Sequence, residues 1–166
     1  MKKNHNKGFS MIEMIIVIAI IGVFTGLASI GFGYIKSGNV KAAAQNLDSS
    51  LSKLKYDAMS KANMPYLYVY KTGGKYYTMC TAKTVQDADF VADNGELLCN
   101  GNCVITYDGG TALAEGKHIK IAYKKGSGGF SSSSDVKQEI VVENEEGTVS
   151  YTITIVFETG KHYVEQ

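Results

Sequence analysis

The chain has 166 residues, of which 45% are hydrophobic and 20% are charged, and its formal net charge at pH 7 is +1. This length allows one compact domain. The near-neutral charge excludes a strong bulk attraction to nucleic acid. Three of the 17 basic residues lie within the first eight positions, and without them 14 basic side chains face 16 acidic ones, a net charge of −2.

The first eight residues form a short leader that contains Lys2, Lys3 and Lys7 and ends in Gly8, just ahead of an apolar segment. No charged side chain occurs in the range 14–35. At 1.5 Å per residue, a helix over this range is about 33 Å long, which is enough to span a bilayer. A secretory signal is normally cut after its apolar region. Here the only suitable cleavage site precedes it.

The sequence Gly8-Phe9-Ser10-Met11-Ile12-Glu13 resembles the processing segment of type IV pilins and pseudopilins. By this resemblance, a prepilin peptidase removes residues 1–8 by cutting between Gly8 and Phe9 and then methylates the amino terminus of Phe9. Residues 9–35 would form a transmembrane helix that later lies in a filament core. The alternative is a plain single-span membrane anchor with an incidental carboxylate at its edge.

Glu13 lies one residue before the uncharged run, where burial of an ionised carboxylate costs about 2.5–3.5 kcal/mol. We therefore expect Glu13 to pair with the new amine of Phe9 in a neighbouring subunit, as a register device. Gly22 and Gly26 form a small-x-x-x-small pattern that allows close helix packing in lipid. Ile30 stands where major type IV pilins often carry a kinking proline, which speaks against a major pilin.

Residues 36–62 are expected to continue the helix, with its end marked by Pro65. Apolar residues recur there at spacings of three and four, and the charged residues lie elsewhere on the cylinder. The apolar set is Val40, Ala44, Leu47, Leu51, Leu54 and Ala58, and the charged set is Lys41, Asp48, Lys53 and Asp57. This stripe predicts a helix that packs on a sheet.

Residues 63–166 are predicted to form a β-rich head. Strands are expected over 66–70 and 75–80, joined at Gly73-Gly74 as a hairpin, and again over 104–107, 118–123, 138–143, 151–157 and 161–164. Residues 83–102 are expected to form an acidic loop. A calcium site there is the alternative, although Gly95 does not fit the EF-hand spacing.

Cys80, Cys99 and Cys103 all lie in the head, which the leader lysines place outside the cytoplasm. We expect one disulfide and one remaining thiol, with all three pairings open and a closed loop of about 20 residues. A zinc site is disfavoured because the C-x-x-C spacing is absent.

The glycine- and serine-rich segment 126–134 is predicted to be a flexible polar loop apart from Phe130. Lysines lie beside it at positions 117, 120, 124 and 125, and Lys161 lies with His162 near the terminus. Lys117, Lys120, Lys124 and Lys161 are thus candidate DNA contacts, with Tyr123 and Phe130 as stacking rings. The alternative, ordinary solubilising lysines, is favoured by the net charge of −2.

Two short patches, 54–65 and 155–160, also resemble the GspH/FimT group of minor pilins and pseudopilins. That group has a helix ending in a small turn and a late strand followed by a glycine turn. The cysteines lie outside these patches.

The sequence therefore predicts an α+β fold in which a long N-terminal helix packs on an antiparallel β head. The expected function is a structural, minor subunit of a type IV pilus or of a type II secretion-like pseudopilus, and the alternative is a DNA-binding minor pilin of an uptake filament. Expected partners are other pilin subunits, the prepilin peptidase, the cytoplasmic membrane and the assembly platform. The chain would reside in that membrane before assembly and in a cell-surface filament afterwards. No catalytic triad context is recognisable, and no enzyme activity, cofactor or metal is predicted.

Overall fold

A computed structural model describes residues 10–60 and 63–166, with side chains in the helix described outside residues 28–36. One helix, α1, spans Met11–Ser60. The contacts divide the chain into two units, Met1–Ile35 and Lys36–Gln166. The second unit is called the head below. The expected helix start at Phe9 and its expected end near Ala62 fall on residues outside the described part.

Within the head, α1 contributes a fully buried stripe to the core. Every residue of the predicted apolar set has no exposed surface: Val40, Ala44, Leu47, Leu51, Leu54 and Ala58. These side chains share one core cluster with strand residues of both sheets. The spacing of three and four along the sequence therefore identified the packed face correctly. Asp57 was expected on the solvent side and is instead buried, because it follows Leu54 by three residues and so borders the stripe.

A four-stranded antiparallel sheet lies on one side of this core. Its strands are β1 (Tyr66–Thr72), β2 (Lys75–Thr81), β3 (Glu96–Cys99) and β6 (His118–Ile121), in the order β3-β2-β1-β6. The predicted hairpin is confirmed, with Thr72 opposite Lys75. Its two-residue turn, Gly73-Gly74, has φ values of +59° and +73°. Two successive positive φ angles define the turn that matches strand twist, and glycine adopts them without strain.

A five-stranded antiparallel sheet completes the head. Its strands are β4 (Cys103–Tyr107), β5 (Thr111–Ala112), β7 (Glu139–Asn144), β8 (Ser150–Val156) and β9 (Lys161–Glu165), in the order β5-β4-β7-β8-β9. The strands expected near 104–107, 138–143, 151–157 and 161–164 are thus present. Alternate residues such as Ile140, Val142 and Ile153 enter the shared core.

The segment expected to be an acidic loop is more structured than predicted. Two short 3-10 turns, Asp87–Asp89 and Ala92–Asn94, precede β3. Phe90 packs between them against Tyr68, Tyr70 and His118, with ring centroids 5.4, 5.2 and 4.1 Å away. The expectation of a plain loop is wrong because one aromatic side chain anchors the segment to the sheet.

The glycine- and serine-rich segment was predicted to be flexible, and this prediction is wrong for residues 128–130. Phe130 is fully buried and forms a bridge with Tyr123. Its backbone N–H donates to the carbonyl oxygen of Phe157 at 2.8 Å. A Cβ atom added at Gly160 would lie 2.1 Å from the Gly128 carbonyl oxygen, so the two turns approach closely. Composition alone indicated a flexible loop, whereas burial of the Phe130 ring fixes the conformation of the segment around it.

A disulfide joins Cys99 and Cys103, whose Cα atoms are 6.3 Å apart, and Cys80 is exposed outside it. This pairing was one of the three left open by the sequence. The bridge closes the turn that leads from β3, at the edge of the four-stranded sheet, to β4 of the five-stranded sheet. Because the closed loop is short, the chain-entropy contribution is about 2 kcal/mol, smaller than the value of about 3 kcal/mol expected for 20 residues.

We predict that replacing both Cys99 and Cys103 by serine lowers the free energy of unfolding by about 2 kcal/mol, since the unfolded chain regains the freedom of the closed loop. The matched control is Cys80→Ser, which leaves the bridge intact and is expected to have no effect. Denaturant unfolding of the full chain in detergent measures both. Peptide mapping without reduction checks the pairing, and a Cys80-containing bridge would contradict it.

Candidate assembly interface

The N-terminal part of α1 exposes its apolar side chains on every side. All residues in the range 11–27 are exposed, including Ile18 at 64%, Val23 at 64% and Phe24 at 67%. Ordinary monomer surfaces rarely contain so large a contiguous apolar area, because water contact costs about 25 cal/mol per Å². This segment therefore needs a covering that its own chain does not provide in the described structure.

Ser10 and Glu13 form a reciprocal cap at the start of this segment. The Ser10 backbone N–H donates to Glu13 Oε2 at 2.8 Å, and the Glu13 backbone N–H donates to Ser10 Oγ at 3.3 Å. The pattern S-x-x-E satisfies two backbone donors that a helix start leaves without partners. Glu13 thus stabilises the helix start in addition to any role between subunits, and sequence reasoning had overlooked this role.

The two glycines of the small-x-x-x-small pattern lie in open space. A Cβ atom built at Gly22 or Gly26 meets nothing within 4 Å. Close packing inside the chain therefore does not explain these glycines, although each lowers helix stability by about 1 kcal/mol relative to alanine. The remaining physical reason for them is a close approach by another helix.

Other parts of the expected interface lie outside the described residues. This holds for Gly8 and Phe9, where cleavage and methylation are expected, and for the side chains of residues 28–36. In the described part of the chain, no helix combines the length and hydropathy of a membrane span.

The structure does not gather the candidate DNA-contacting lysines around stacking rings. Tyr123 and Phe130 have no exposed surface, so neither ring is accessible to a base. The Lys120 ammonium lies 5.6 Å from the ring centroid of Tyr66, and that of Lys124 lies 5.4 Å from the ring centroid of Phe157. Lys117 is exposed ahead of β6, and Lys161 begins β9 in the other sheet. The aromatic part of the predicted patch is thus wrong.

A polar cluster centred on His162 connects α1 with β9. His162 Nε2 lies 3.0 Å from Ser52 Oγ and 3.4 Å from Asp48 Oδ1, while Nδ1 lies 3.4 Å from the Tyr123 hydroxyl. Burial, with a smaller effect of the Asp48 carboxylate, raises the pKa of the Tyr123 hydroxyl far above its usual range. Serine and aspartate both face the same ring nitrogen, so the arrangement differs from a catalytic triad.

The acidic segment offers no geometric support for the calcium alternative. Across the residues that the structure describes, no three His, Cys, Asp or Glu side chains are close enough to hold one metal ion. The Asp89 carboxylate instead accepts the Gln86 backbone N–H at 2.8 Å.

Comparison with known families gave one match. The family model described as the prokaryotic N-terminal methylation motif matches residues 3–29. This range includes residues 3–8 of the leader, the cap at Ser10 and Glu13, and both glycines. Searches of curated proteins and of solved structures each returned no match.

These observations define the class of signal that the chain carries. Residues 3–29 contain a type IV pilin-like class III signal, in which cleavage precedes the apolar helix. The match supports a structural subunit of the type IV pilin or pseudopilin kind, and it implies processing by a prepilin peptidase. It does not extend to the head.

We predict that Gly26→Leu leaves the subunit folded and processed but reduces its association with other subunits, because the added side chain meets nothing within the chain and obstructs only an approaching helix. Val17→Phe is the control, since it adds bulk on the opposite side of the same helix. Precursor cleavage and incorporation into filaments are compared for both variants. Equal incorporation of the two would contradict a specific role of the glycine face.

Proposed function

We propose that this chain is stored in the cytoplasmic membrane by the helix of residues 9–35 and then polymerised into an extracytoplasmic filament, with its head outside the cytoplasm. The observation that carries the proposal is the fully exposed apolar segment 11–27 inside the methylation motif. Such a segment is stable in lipid before assembly and among identical apolar helices afterwards. Cell-surface filaments built on a helical core use both environments in turn.

Glu13 provides the register in this proposal. Cleavage after Gly8 would create a cationic amine at Phe9, and a carboxylate of a neighbouring subunit would neutralise it in the apolar core. A carboxylate has about four acceptor sites, and the cap at Ser10 uses one of its oxygens. Glu13 can thus accept the amine of a neighbour without losing the helix cap.

The finer assignments remain predictions. A minor subunit of the GspH/FimT group is supported by the patches at 54–65 and 155–160 and by Ile30 in place of proline. The choice between a pilus and a secretion-like pseudopilus depends on the partner subunits and the assembly platform. The absence of enzyme activity remains a prediction as well, and no geometric observation favours DNA binding.

We predict that the assembled protein begins at a methylated Phe9. A glycine at position 8 leaves room for an extended backbone in a peptidase site, so Gly8→Leu is expected to leave the precursor uncut. Asn6→Leu is the control, because it adds the same side chain two residues before the cleavage site. Mass spectrometry of both proteins isolated from cells measures the N-terminus. Residues 1–8 intact in assembled wild-type material would contradict the proposal.

We predict that Glu13→Gln is cut and retained in the membrane but enters filaments poorly. Glutamine can replace glutamate in a capping box but carries no charge, so this variant separates pairing from capping. An unpaired buried amine costs about 3–5 kcal/mol. Ser10→Ala is the matched control, since it weakens the cap and keeps the charge.

Processing, membrane content and filament incorporation are measured side by side for the two variants. Normal incorporation of Glu13→Gln would exclude the pairing mechanism. Loss of filament incorporation in Ser10→Ala, together with normal incorporation of Glu13→Gln, would show that capping, and not charge, controls assembly.

A further inference from the structure

A groove of about 540 Å³ lies in the head between the last turns of α1 and the edge strand β9. Its apolar rim consists of Tyr56, Met59 and Tyr163, which are 71%, 51% and 51% exposed. Tyr56 and Met59 lie on the side of α1 away from the buried stripe, and Tyr163 lies on a strand whose outer edge has no neighbour in the sheet. Exposed aromatic and methionine side chains are enriched at protein interfaces.

Lys55 and Lys161 line this groove, and Lys124 lies on a neighbouring loop. Lys55 Nζ donates to the Thr159 carbonyl oxygen at 3.0 Å, and the Lys124 ammonium lies over the ring of Phe157. Lys161 is exposed on β9. The loop that carries Lys124 reaches the rim itself, since a Cβ atom at Gly128 would lie 2.7 Å from the sulfur of Met59. The groove therefore combines apolar contact area with positive charge.

The acidic segment 87–97 has the complementary composition. Asp87 is 97% exposed on its side chain, and Asp93 and Glu96 are also exposed. Val91 and Leu97, at 44% and 49% exposure, add apolar side chains to the same segment. The segment is held on the sheet by Phe90 and by the Tyr70 hydroxyl, which donates to the Val91 carbonyl oxygen at 2.8 Å. It thus presents its charges on a fixed backbone.

The groove lies on the core side of the four-stranded sheet, whereas Phe90 of the acidic segment packs on the outer face. The end of that segment, at 93–97, extends to α1 and lines a separate cavity with Ser49 and Lys53. Leu67 and Val69 of β1 face the core that contains the α1 stripe. Tyr68 and Tyr70 alternate with them and face the acidic segment. Complementary surfaces on different sides of one molecule produce head-to-tail contacts, which generate open helical assemblies when the rotation does not close.

We propose that the groove at Tyr56, Met59 and Tyr163 binds the acidic segment 87–97 of a second copy of this chain. The opposite charges of Lys124 and Lys161 and of Asp87 and Asp93 select and orient the contact. This inference rests on the proposed function, since it assigns a head-to-head contact to the filament subunit. The contact requires several copies of this chain in one filament. Its detection would therefore also identify the chain as a repeating subunit and not as a subunit that occurs once at the tip.

The test uses two charge-reversed forms of the full chain in detergent. One form carries Lys124→Glu and Lys161→Glu in the groove, and the other carries Asp87→Lys and Asp93→Lys in the segment. Each form alone places like charges together, whereas a 1:1 mixture restores opposite charges at every contact. The matched control form carries Lys75→Glu, at the first residue of β2, and Glu145→Lys, in the turn between β7 and β8, both of them exposed.

The readout is carbodiimide crosslinking, which joins ammonium groups to carboxylates, between copies labelled with 14N and 15N. Mixed-isotope peptides that link segment 87–97 to the groove lysines are expected for the wild type and the control form. We expect about tenfold fewer of them for each reversed form alone. In the mixture we expect recovery, with the polarity of the link exchanged between the reversed groove and the reversed segment and unchanged between the two unaltered surfaces. No mixed-isotope link between these surfaces in the wild type, or no recovery in the mixture, would overturn the inference.

Failure of this inference is distinguishable from failure of the proposed function. The crosslinks report contact between heads and do not depend on cleavage at Gly8. A methylated Phe9 in filaments without these links rejects the head contact alone. Head links in a chain that is never cut or assembled reject the filament function alone and support the contact.

Discussion

The apolar side chains along the whole of α1 must be removed from water, and the rest of the structure depends on this requirement. The two parts of α1 meet it in different ways. Residues such as Leu47, Leu51 and Leu54 are covered by the two sheets of their own head, with which they form one core cluster. The side chains of residues 11–27 have no such cover within the described chain. Burial contributes about 25 cal/mol per Å² in either case, so the uncovered segment strongly favours lipid or other helices over water.

The polar groups near the exposed segment are consistent with this division. Glu13 and Ser10 satisfy each other's backbone N–H groups, which removes two unpaired donors from the start of the exposed helix. Gly22 and Gly26 leave the helix surface open where another helix can approach. The open glycines indicate contact with a partner outside the chain, whereas a capping box also occurs at the start of ordinary soluble helices.

The head is held together by side chains that connect its parts. Phe90 fixes the acidic segment to the outer face of the four-stranded sheet, and Phe130 fixes the glycine- and serine-rich turn near β8. His162 connects β9 with α1 through Ser52 and Asp48. The disulfide between Cys99 and Cys103 links β3 of one sheet to β4 of the other. These contacts give fixed shapes to surfaces that composition alone would describe as loops.

The sequence by itself determined the helix stripe, most strands and the N-terminal signal, because each is written in local periodicity or in a short contiguous motif. Only the tertiary structure decided that the strands divide into two sheets, that β1 pairs with β6, and that Cys99 bonds Cys103 and not Cys80. It also buried Tyr123 and Phe130, which removed the predicted stacking rings. Periodicity specifies which face of an element is apolar, but the partner of that face depends on how the chain returns to it over many residues.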